Sequence, residues 1–102
     1  MPNPDQPQWD VALEALLADT QRTTGSPLNM AQLHRLAEAY NIRLDDLLDT
    51  LCRLVEHKAW SYLGADGKAA PLDRHIVRLL HANHRLNEVQ LARLDGSWQP
   101  AG

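Results

Sequence analysis

The chain has 102 residues, with 10 Lys+Arg against 13 Asp+Glu and a formal charge of −3, which bounds it to one small domain and argues against a protein that lives on phosphate contacts alone. Leu occurs 18 times and Ala 13 times, against 4 Val, 2 Ile and no Phe, so helices are favoured and sandwiches or barrels are not. No apolar run approaches the roughly 18 residues that spanning a bilayer needs. The start MPNPDQPQ has neither a basic nor an apolar export segment, and the single cysteine has no internal partner; a cytoplasmic protein with no membrane contact is expected.

Residues 1–8 hold three prolines and no periodic apolar positions, and are expected to be a flexible lead-in to a domain over 9–95. Trp9, Leu13, Leu16 and Leu17 share one face of a first helix that runs to about Arg22. After the turn-forming stretch TTGSP, Asn29 is placed to cap a second helix, with Gln32 in the capping-box position three residues on. Its apolar face is Met30, Leu33, Leu36, Ala37 and Tyr40, and Asn41, comfortable at positive φ, closes it with Ile42 behind.

The third helix has the clearest period in the chain, with Leu44, Leu47, Leu48, Leu51, Leu54 and Val55 on one side and an end near Lys58. WSYLGADGKAAPL follows, and its Asp66–Gly67 step between extended segments predicts a short β-hairpin. Asp73 is expected to cap a fourth helix reaching about His84, with Leu72 and Val77 packing across its start. LNMAQLHRL at 28–36 and LNEVQLARL at 86–94 agree at six of nine positions. Each places an Asn N-cap, a Gln three residues later and two flanking leucines, which a shared way of starting a helix explains as well as a duplication does. A fifth helix over about 88–94 is expected, although the alternation of Val89, Leu91 and Arg93 leaves a strand open; the tail at 96–102 is expected to be loose.

The stretch LNMAQLHRLAEAYNIRLDDLLDTLCRLVEHKAWSYLGADGK, residues 28–68, resembles a winged helix-turn-helix. Ala37 resembles the small residue at the helix–helix approach, Asn41 the turn residue, Ile42 the apolar residue after it, and GADGK the wing tip. Arg43 stands where such proteins often carry a small hydroxyl cap. The fold expected is therefore mainly α with a small β-hairpin: a winged helix-turn-helix with additional C-terminal helices. The resemblance implies a dimeric DNA-binding regulatory protein whose third helix lies in the major groove.

The charges point elsewhere. Opposite the leucines of the third helix stand Asp45, Asp46, Asp49, Arg53 and Glu56: four acids, repulsive toward a polyanion, and one base. The acidic side suits a partner protein or plain solvent, with Asp45 and Asp46 favoured by the helix dipole. Positive charge gathers on the fourth helix, where Arg74, Arg78, His81 and Arg85 recur at i, i+4, i+7 and i+11, with Lys68 nearby at the wing. Guanidinium forks suit phosphates or a partner's carboxylates equally. Cys52 shares a side with Leu48 and Val55 and reads as a small buried apolar residue. His81 and His84 supply half a tetrahedral shell and nothing completes it, so no metal and no cofactor are expected. No nucleotide loop or nucleophile motif is present, so an enzyme is not expected. Trp98, in a polar tail, reads as available to an interface. Two functions remain open: a winged-helix DNA-binding regulator, and a winged-helix adaptor that binds protein through its acidic third or basic fourth helix.

Overall fold

The computed structural model describes residues 10–83 and 85–101; the expected lead-in, Trp9 and His84 lie outside them. The elements are α1 (Val11–Thr24), β1 (Leu28–Asn29), α2 (Met30–Tyr40), α3 (Leu44–Glu56), β2 (Trp60–Leu63), α4 (Arg74–Asn83), α5 (Glu88–Leu91) and β3 (Ser97–Pro100). The result is a mainly helical domain with one small three-stranded antiparallel sheet, and no helix among the described residues is long and apolar enough to cross a membrane.

Local chemistry sets most helix ends. The Asp10 carboxylate accepts from the Ala12 and Leu13 N–H groups at 2.9 and 3.2 Å, starting α1, and Gly25 ends it at φ +75°. Asn29 and Gln32 make the expected reciprocal capping box, each bond 2.9 Å. Asn41 closes α2 at φ 53°, letting the Ile42 N–H return to the Ala37 carbonyl at 2.9 Å. Arg43 precedes α3 and gives no side-chain cap, as its identity implies. Lys58, at φ 62°, turns the chain out of α3 two residues after Glu56.

The hairpin expected after α3 forms only in part. Its turn is present: the Gly64 N–H donates to the Lys68 carbonyl at 2.8 Å, and Gly67 takes φ 80°. The return arm, however, makes a single bridge, Leu63 to Ala69, plus the Ala70 N–H to the Tyr62 carbonyl at 3.0 Å. Beyond Ala70 the return arm makes no further bridge to β2 among the described residues.

The ladder partner along the other edge of β2 comes from the tail expected to be loose. β3 lies between β1 and β2, antiparallel to both, with Trp98 opposite Leu28 on one side and Tyr62 on the other. Trp98 is 0% exposed, packed against Tyr62 with ring centroids 5.0 Å apart, so it is a core residue rather than an interface anchor. Its indole Nε1 has no partner among the described residues, at a cost on the order of 1–3 kcal/mol that the buried ring area has to outweigh. Segments 28–29 and 97–100 are too short to show periodicity, and only their mutual register buries them.

At residue 88 the open choice resolves to a helix. Asn87 and Gln90 form a second capping box, with bonds of 2.8 and 2.9 Å, over a single turn. Gly96 stands just before β3, where the chain passes close to β2. A Cβ there would run into the Leu63 carbonyl oxygen and come within 2.9 Å of the Tyr62 ring, and its N–H donates to the Tyr62 hydroxyl at 3.1 Å. Gly96→Ala should therefore pry β3 from β2 and cost about 2 kcal/mol or more in urea unfolding; wild-type stability in that variant would mean that β3 does not sit there.

Candidate functional site

Two apolar faces decide how α4 meets α3. On α4, Ile76, Val77 and Leu80 are buried; on α3, Leu47, Leu48, Leu51, Cys52 and Leu54 are. With α4 laid alongside, the polar residues at the edge of α3 acquire partners. His81 Nδ1 is 2.7 Å from Asp49 Oδ1, and its Nε2 is 2.9 Å from Glu56 Oε1. The imidazolium satisfies both contacts with donated bonds, whereas the neutral ring can donate only one. Arg53 Nε, one turn along α3, donates to Asp49 Oδ2 at 3.2 Å. Further back, the Leu86 N–H donates to Asp45 Oδ1 at 3.2 Å, and Arg43 lies 3.5 Å from the other oxygen of that carboxylate.

The acidic side of α3 is thus not the open face that a lone helix would present. Asp45 and Asp49 are only 18% and 20% exposed in their side chains, held by α4, by the chain after it and by α3's own arginine. Glu56 is half open but engaged by His81. Asp46 is half-buried, and its carbonyl accepts from the Thr50 hydroxyl at 2.9 Å. The reason is tertiary: α4 also carries an apolar stripe, and burying it required the neighbouring flank of α3.

The cationic candidates separate. Arg53 is consumed by Asp49, and His81 by Asp49 and Glu56. Lys68 is exposed in the turn after β2. Because α4 ends at Asn83, Arg85 is exposed in the following segment and not on the helix. Arg74 and Arg78 remain one turn apart on α4, both exposed and with no ion pair among the described residues. They border a groove of about 500 Å³ lined by Val55, Glu56, Pro71, Leu72, Val77 and His81 besides themselves. Asp73, which opens α4, does not quench them. It accepts from the His75 N–H at 2.9 Å and pairs with Arg93 at 3.6 Å. The periodicity of α4 revealed the two arginines; Val55, Leu72 and Val77 read from the sequence as packing residues, but nothing in it showed that three separate segments bring them together as a groove floor.

Cys52 is fully buried, and burial first, then the nearby Asp49 and Glu56 carboxylates, push its thiol up to about 12. It is therefore unsuited to act as a nucleophile near neutrality. Tyr62 is also raised, chiefly by burial and against the hydrogen bond from Gly96. Asp49, Glu56 and His81 meet as partners of one another; among the described residues no group of three His, Cys, Asp or Glu side chains is arranged to hold a metal ion.

The fold and the site together define a small mainly helical domain with a three-stranded sheet and one cation-bordered groove between α3 and α4. The chain matches no family model, no curated protein and no solved structure.

Two outcomes follow. In a double-mutant cycle, Asp49→Asn and His81→Gln should couple by about 1 kcal/mol, as a partly exposed charged pair does; additivity would show that the pair does not hold α4. A thiol whose folded pKa of about 12 lies above its ordinary 9.0 keeps its proton longer in the folded state. Its contribution is fully present below pH 9 and is lost as pH rises toward 12. Melting temperature should accordingly fall more steeply from pH 9 to 11 in wild type than in Cys52→Ala; equal slopes would place the thiol in contact with solvent.

Proposed function

We propose that the chain is a winged-helix-like protein-interaction module in which α3 is a framework helix and the basic side of α4 is the docking surface. The order of helix, capped helix, tight turn at Asn41, helix and glycine-bearing turn at Gly64–Lys68 supports the winged-helix likeness. The departure is that α4 and α5 intervene before the last strand. One observation carries the functional choice: the α3 side that would enter a DNA groove is occupied from within, by His81 on Asp49 and Glu56 and by the Leu86 N–H on Asp45. Freeing it would strip these carboxylates of their partners and place them against phosphates, a repulsive arrangement. A net charge of −3 adds to that repulsion, whereas a local pair of unquenched arginines is enough to orient an acidic protein surface.

A gel-shift titration with nonspecific duplex at two salt concentrations tests the choice. The module should show almost no duplex binding at either. Tight binding that weakens steeply with salt would instead assign a DNA-binding regulator.

A further inference from the structure

Resting on that reading, we infer that the groove beside Arg74 and Arg78 takes a short acidic peptide segment of a partner protein, an aliphatic side chain entering the groove and carboxylates on either side of it meeting the two guanidinium groups.

The charge on the groove defines the ligand. Glu56 is the acid in its wall, and its carboxylate already faces His81 Nε2 at 2.9 Å. Asp49, next along α3, is bound by Arg53 and His81. Asp73, next along the chain, is turned to the α4 N–H groups and to Arg93. Glu56, Asp49 and Asp73 are therefore each engaged by other groups, and Arg74 and Arg78, which pair with no acid among the described residues, keep their charge for an outside partner. At i and i+4 their stems leave α4 in parallel, about 6 Å apart, a spacing that suits two carboxylates on neighbouring turns or alternate residues of a peptide. A forked guanidinium binds each bidentately where an ammonium would not.

The floor defines the rest. Val55, Leu72 and Val77 present aliphatic surface, Val55 and Val77 from the packed helices α3 and α4, with Val77 9% exposed, and Leu72 from the segment that leads into α4. A volume of about 500 Å³ lies within the range of sites that hold small ligands, and it accommodates one or two aliphatic side chains but not a helix lying whole. A simple polyanion would use the arginines and leave the floor wet, so a ligand with both features gains over one with charge alone.

The test is an array of nonapeptides with Leu fixed at the centre and Asp or Glu on both flanks, set beside arrays with Asn or Gln flanks, with Ser at the centre, and with poly-glutamate. Wild type should bind the acidic, Leu-centred set best, and Arg74→Ala with Arg78→Ala should weaken it by about tenfold or more. Arg85→Ala should leave it within about twofold. Because both arginines are exposed, the variants keep the wild-type melting curve, which is recorded alongside. The reversed pair Arg74→Glu with Arg78→Glu should lose the acidic set and acquire a Lys-flanked one. If poly-glutamate and the Ser-centred set bind as well as the Leu-centred set and respond to the arginines, α4 is the docking surface but the groove inference is overturned. If no acidic peptide binds and duplex DNA does, through the same arginines, both this inference and the interaction-module reading fall.

Discussion

The insertion of β3 between β1 and β2 is the constraint on which the rest of the molecule depends. β1 has two residues and β2 four; neither pairs with the other, and each takes its backbone partners from Ser97–Pro100. The start of α2 and the end of α3 are thereby joined through the last strand, with Trp98 filling the space between Leu28 and Tyr62. Between leaving β2 at Leu63 and returning along its other edge at Ser97, the chain makes an excursion over residues 64–96. That excursion carries α4 over α3, because the apolar stripes of both helices can be buried there at once.

The electrostatics follow from the packing rather than steering it. Once α4 lies on α3, Asp45, Asp49 and Glu56 sit beside a backbone N–H or His81, with Arg43 and Arg53 adding charge contacts. Each of these contacts is partly open to water and contributes little on its own. Their joint effect is selective. Asp45, Asp49 and Glu56 are matched inside the domain, and two exposed cations, Arg74 and Arg78, stand one turn apart on α4 beside a groove with an aliphatic floor. A negatively charged protein can in this way present a local positive site, since Coulomb effects at contact distance outweigh a net charge spread over a Debye length.

The two Leu-Asn-x-x-Gln-Leu stretches show how far local chemistry reaches. Both build the same capping box, with bonds of 2.8–2.9 Å, and both bury the leading leucine, Leu28 and Leu86. Yet one opens a helix of 11 residues and the other a helix of 4. After Leu91 the chain must tighten so that Leu94 enters the core and Gly96 passes close to Leu63. A cap states where a helix begins; what lies beyond the first turn states how long it lasts.

From the residues alone one could read the helical class, the caps at Asn29 and Asp73, the left-handed stop at Asn41, the apolar stripes of α3 and α4, the buried thiol of Cys52 and the arginine pair at 74 and 78. Each of these depends on groups within a turn or so of one another, and such contacts are encoded by spacing. Tertiary structure alone decided that Ser97–Pro100 is the central strand, that Trp98 is core, that the hairpin arm makes only one bridge, and that Asp45, Asp49 and Glu56 of α3 meet Leu86 and His81. These depend on groups 25 to 70 residues apart along the chain. Distant pairing leaves no period in a four-residue segment, and a helix's polar side is outward only until another helix with its own apolar stripe needs the ground beside it.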